Sequence, residues 1–159
     1  MEKKHTYRVT AWWSSEQTGL AKSDAAPNAI HFSAPPQFGG LEGRWSPEDL
    51  LLSALASCFT TTFKAIAGNS LFAYTDLEVT VEGTVEKTQC GYCFTAIAIM
   101  PTLTIPEWQS DAKALELLET TEKLCLTSRA LTTPKNFAPR IEVRALAGSV
   151  NEKSLGGEL

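Results

Sequence analysis

Histidine is scarce in this chain: only His5 and His31 occur, far apart and without ligand spacing, so a histidine metal site is not expected. Clustered basic charge is missing too. The 14 Lys and Arg are scattered against 18 Asp and Glu, a net charge of -4, and a nucleic-acid partner is not expected without a basic surface. The N-terminal MEKKHTYRV lacks an apolar h-region and a cleavage site, so we expect no secretory signal and a cytoplasmic protein. Only four cysteines occur in 159 residues. That argues against a disulfide-stapled secreted scaffold and leaves a reactive or metal-binding thiol to consider. With 43% hydrophobic and 20% charged residues, residues 1–150 fit a single domain with its own core, and 151–159 are expected to form a flexible tail.

What the chain does have is one long apolar stretch, SPEDLLLSALASCFTTTFKAIAG, residues 46–68. Ser46 can cap a helix, Pro47 suits its first position, and Glu48 and Asp49 set carboxylates against its positive end. Gly68-Asn69 is the expected left-handed stop. Apolar residues run all round the stretch, which predicts a buried helix. Its length also approaches that of a membrane span, but Ser53, Ser57, Thr60, Thr61, Thr62 and Lys64 interrupt it and no second span follows, so no membrane partner is expected.

Around this helix the patterning is mostly strand. Residues 5–14, 20–22 and 28–33 predict a three-strand meander, and the prolines and glycines of 34–40 then lead to the helix. Residues 76–87 and 92–105 alternate as a hairpin, with Gly83 the expected bulge. Pro106-Glu107 is expected to open a second helix with Leu117, Leu118, Leu124 and Cys125 on its apolar side, ending around 127–133. Residues 139–147 alternate as a last strand. No βαβ rhythm is present, so the expected class is α+β, antiparallel sheets wrapped around a long buried central helix. A helix covered by sheet on one side only would leave apolar surface bare; an intertwined homodimer would cover it.

Cys58 lies mid-helix and Cys125 near the end of the second helix. Read alone, both fit small buried hydrophobes. Neither is expected at an activating helix N-terminus, so a reactive thiolate would need a nearby cation. Cys90-Gly-Tyr-Cys93 has CxxC spacing, but it falls in a hairpin turn without a second pair, a weak signal for metal or disulfide.

Gly39-Gly40 followed by Ser46-Pro47-Glu48-Asp49-Leu50-Leu51 and Ser57-Cys58-Phe59 resembles the central-helix motif of the OsmC/Ohr family. Residues 114–115 through Glu122-Lys123-Leu124-Cys125-Leu126-Thr127-Ser128 are similar to that family's second-cysteine helix, and the order of elements agrees over about residues 5–147. The resemblance implies an interlocked dimer that reduces organic hydroperoxides with no metal or organic cofactor. Cys58 would be the attacking thiolate, Cys125 its resolving partner, and an external dithiol, of lipoyl type for example, the reductant. Glu48 would orient an activating arginine. Leu20 and Gln37 stand where the family carries that arginine, which leaves Arg44 as the expected substitute, then Arg129 and Lys22. Without such a cation, Cys58 is expected above the ordinary thiol value of ~8.5. The alternative function is a non-catalytic or small-ligand-binding member of the same fold.

Overall fold

The computed structural model describes residues 3–145, so the expected tail at 151–159 lies outside the described residues. Two compact units divide the chain between Ala54 and Leu55. The first holds an antiparallel meander of β1 (Val9–Trp13), β2 (Gly19–Ser23) and β3 (Ile30–Phe32), in that spatial order. Gly19 is required where it stands: a Cβ there would come within 2.2 Å of the Phe32 ring. That ring in turn packs against Trp13, centroids 5.8 Å apart. A short 3-10 turn at Pro36–Phe38 follows, and Gly40 passes so close to Ala34 that a Cβ would meet its carbonyl oxygen.

Helix α1 runs Pro47–Asn69. Its start is the expected cap made reciprocal: the Asp49 N–H donates to Ser46 Oγ at 3.1 Å, while the Ser46 N–H and hydroxyl both donate to Asp49 Oδ2 at 2.8 Å. Its end differs from expectation. The left-handed residue is Leu71, at φ 50°, rather than Gly68, and the Phe72 N–H reaches back to the Ala67 carbonyl at 2.9 Å. The expectation of burial all round is also corrected. Only Leu55, Phe59, Phe63 and Ala67, one stripe at four-residue spacing, are buried, while Ala54, Ser57, Thr61 and Ala65 face outward from the single chain. The helix is long and apolar enough to cross a bilayer, yet this stripe belongs to a protein core.

That core is built in the second unit from α1, β4 (Asp76–Thr88), β5 (Gly91–Pro106) and α2 (Asp111–Leu124). Alternation puts Ile97, Ile99, Leu103 and Ile105 of β5 inward, all buried. Phe59 stacks 6.0 Å from Phe137, and Phe63 meets Tyr74 edge-on at 5.2 Å. The bulge of the β4–β5 hairpin is at Thr95, not Gly83: Thr84 pairs with Ala96 and Val85 with Phe94, so Thr95 is the extra residue. Its hydroxyl donates to Glu86.

Two further corrections bear on the site. Pro106 ends β5 instead of opening a helix; α2 begins at Asp111 with Ser110 as its cap. Leu124 is 54% exposed, and the buried side of α2 is Ala114, Leu117, Leu118 and Thr121. The helix then breaks at Cys125, whose ψ of 114° is extended, and restarts as the five-residue α3 (Leu126–Ala130). The α+β class stands, with a mixed rather than purely antiparallel second sheet. Strand β6 (Lys135–Phe137), not expected from the sequence, and β7 (Arg140–Arg144) each pair parallel with β5, one after the other along its edge.

Candidate active site

Cys58 projects from α1 between the buried stripe and the outward flank, and it is half-buried. The break at Cys125 brings the second cysteine to it. Because α3 starts afresh at Leu126, its first N–H groups have no partner within a preceding turn. The Thr127 N–H is spent on Cys58 Sγ, at 3.5 Å. Cys125 is buried, and its thiol reaches the same sulfur. Residues 67 positions apart in the chain thus share one site.

The two thiols have opposed acidities. Burial pushes Cys58 up, but donors to its sulfur outweigh it: the Thr127 hydroxyl and N–H, the Cys125 thiol and the Thr62 hydroxyl bring it down to about 7. Burial pushes Cys125 up to about 11, only partly opposed by the Ser128 and Thr127 N–H groups. The Cys58 sulfur adds to that rise, because Cys125 gives its proton to it and a second negative charge beside it is disfavoured. Near neutral pH Cys58 is the thiol that gives up its proton, while Cys125 keeps its own and donates it to the Cys58 sulfur.

This corrects two expectations. Cys58 does face a helix first turn, that of α3. It also lies below the ordinary thiol value rather than above it, and the groups that lower it are neutral donors, not a cation. Arg44 is exposed in the loop before α1, and among the described residues nothing hydrogen-bonds or ion-pairs with it. Arg129 is exposed on α3 and Lys22 on β2; Leu20 lies on β2 and Gln37 in the 3-10 turn. Glu48, in the first turn of α1, is half-buried, and its Oε2 is buried with no hydrogen-bond partner among the described residues.

Cys90 and Cys93 are free and exposed at the β4–β5 turn, where the Cys90 N–H donates to Thr88 Oγ1 at 3.2 Å and Cys93 Sγ lies 3.9 Å from that oxygen. Both histidines are exposed. Among the described residues no group of three or more His, Cys, Asp or Glu is arranged to hold a metal.

Two donors escaped the sequence reading. Thr62 stands four residues after Cys58, a spacing that puts both on one helical face and could have found it. Thr127 had no such signal, because its role depends on a helix break inside an otherwise periodic segment.

The OsmC-like protein family matches residues 40–139, a span that contains both cysteines. The chain is 25% identical over 130 residues to uncharacterized protein YmaD of Bacillus subtilis, covering 80% of this chain and 87% of that one. It is 29% identical over 70 residues to peroxiredoxin OsmC of Escherichia coli, 44% of this chain and 48% of that protein. Among solved structures, an organic hydroperoxide resistance protein OsmC from Legionella pneumophila superposes with a TM-score of 0.71 at 18% identity, over 89% of this chain and all of that one.

Proposed function

This chain belongs to the OsmC-like protein family, and on that premise we propose that it is a two-cysteine thiol peroxidase acting on organic hydroperoxides. The observation that carries the reading is the pairing of Cys58, lowered to about 7, with Cys125, raised to about 11, at one site. The Cys58 thiolate attacks the terminal oxygen of the hydroperoxide. The S–O bond forms as O–O breaks, the alkoxide takes a proton and leaves as an alcohol, and Cys58 becomes a sulfenic acid. Cys125 then attacks that sulfur, and the departing hydroxide leaves as water with the Cys125 proton. An external dithiol, such as a lipoyl group, supplies two electrons and two protons to reopen the disulfide.

The opposed acidities order these steps. Negative charge at Cys58 is one reason Cys125 holds its proton. Oxidation to a neutral sulfenic acid removes that charge, so Cys125 ionises more readily only after the first step is complete.

A homodimer is part of the proposal. The outward-facing Ala54, Ser57, Thr61 and Ala65 of α1 are uncharged, with the exposed Lys64 at their border, and Trp12, Trp13 and Trp45 of the first unit are exposed on the single chain. So is a cytoplasmic location, where four free cysteines would stay reduced. The second reading, a non-catalytic or small-ligand-binding member, is favoured by the non-cationic Leu20 and Gln37 and by an exposed Arg44 that has no ion-pair partner among the described residues.

Stopped-flow oxidation of the reduced protein by cumene hydroperoxide separates the two. The expected result is rapid consumption by wild type, none by Cys58→Ser, and a single turnover without disulfide by Cys125→Ser. A wild type that does not react overturns the peroxidase reading and leaves the binding one, and a Cys58→Ser variant that reacts as fast as wild type overturns the two-cysteine mechanism proposed here.

A further inference from the structure

Two sulfurs share this site, and something must decide which of them attacks. Burial alone disfavours both thiolates, so the choice lies in the donors each sulfur receives. The groups at Cys58 are Thr62 from its own helix, and Cys125 and Thr127 from the segment that follows α2; no charged side chain is among them. Thr62 is fixed relative to Cys58 by the helix they share. Cys125 is itself the rival. Thr127 is the only one of the three that offers two donors, a backbone N–H at 3.5 Å and a hydroxyl.

We propose that Thr127 is a catalytic residue of this site: its N–H and hydroxyl together hold the Cys58 sulfur as the attacking thiolate and leave Cys125 as the thiol that resolves it. Its role in turnover rests on the peroxidase reading; its hold on the thiolate does not.

The local backbone explains why Thr127 can do this. The Cys125 N–H closes the last turn of α2 on the Thr121 carbonyl at 2.8 Å, and the Arg129 N–H returns to the Cys125 carbonyl at 3.0 Å. Between them the Thr127 N–H has no helical acceptor, so donating to sulfur breaks no backbone bond. The segment is anchored on its other side by buried Ser128, whose hydroxyl donates to Glu122 Oε1 at 3.2 Å. Thr127 therefore sits one residue from an anchor and two from the resolving cysteine. The same short piece of chain that carries Cys125 sets the protonation state of Cys58. Sulfenic acid formation discharges the sulfur that both Thr127 donors favour, which weakens their hold just as Cys125 must approach.

The test is the pH profile of iodoacetamide alkylation at Cys58, read by peptide mass in a Cys90→Ser/Cys93→Ser background. A lowered thiol is ionised above its pKa, so the rate should rise as pH increases through about 7 and level off above it. Thr127→Val removes the hydroxyl at nearly constant volume. It should move the midpoint upward and slow alkylation at pH 7 by roughly 3- to 10-fold, one pKa unit being tenfold in the thiolate ratio. Rates at pH 10 should be unchanged. Thr127→Ser keeps both donors and should restore the profile. Thr127→Pro removes the N–H at a first-turn position that accepts proline, and a folded variant should shift the midpoint upward as well. An unchanged midpoint in Thr127→Val overturns the proposal, as does a shift that Thr127→Ser fails to rescue. Cumene hydroperoxide consumption by the same proteins keeps the two readings apart. A wild type with a low midpoint that Thr127→Val raises, but with no peroxide reaction, supports Thr127 and defeats the peroxidase reading. Peroxide reduction with Thr127→Val as fast as wild type at pH 7 defeats Thr127 alone.

Discussion

The two units use their large side chains in opposite ways. In the second, alternation on β5 and the four-residue stripe of α1 turn Ile97, Ile99, Leu103, Ile105, Phe59 and Phe63 inward, and all are buried. In the first, every residue of β1 is exposed, with Trp12 at 45% and Trp13 at 61%. A three-stranded meander of short strands has too little apolar area of its own to make a core. The second unit thus holds both the packing and the paired thiols, and the first presents apolar surface that a single chain leaves in water.

The largest expected effect tests the packing half of this contrast. Phe59→Ala opens a cavity beside Phe137 and should cost about 3–5 kcal/mol in urea unfolding. A loss below 1 kcal/mol would mean that the stripe is not the core. The exposed half is tested by Trp12→Ser with Trp13→Ser. Under the homodimer proposal these should raise the dimer dissociation constant at least tenfold, about 1.4 kcal/mol, in sedimentation at micromolar protein. Unchanged association would place the interface elsewhere. The smallest effect sharpens the contrast within the site. In Cys58→Ser the neighbouring sulfur that raises Cys125 is gone, so alkylation of Cys125 should begin at lower pH than in wild type, where its pKa is about 11. It should still lie above the ordinary thiol range, because burial is the first cause of the rise. No downward movement would mean that the two thiols do not interact.

Much of the fold was readable because local signals were strong. The Ser46 cap with its acidic first turn, the alternation of 76–105 and the turn chemistry of the meander each act within a few residues, where composition constrains conformation directly. The misses share a cause. Strand β6 is three residues long and forms only because β5 offers an unpaired edge. The bulge at Thr95 and the left-handed Leu71 are settled by pairing and packing, which override the local preference of glycine for such places. Periodicity carried the reading of α2 straight through Cys125 because Leu124 and Leu126 look like continuing helix; both are in fact exposed.

The sequence by itself determined that Cys58 would sit in the middle of a capped helix and that Cys125 would follow an amphipathic one, since caps and hydrophobic period are properties of consecutive residues. It could also show that no cation occupies Leu20 or Gln37. Only the tertiary structure decided that Cys58 is acidic all the same. The donors responsible, apart from Thr62, come from a segment 67 and more residues away, exposed by a helix break that no local rule requires. Acidity at a half-buried sulfur depends on which dipoles end within a few ångströms of it, and that distance is fixed by packing, not by order along the chain.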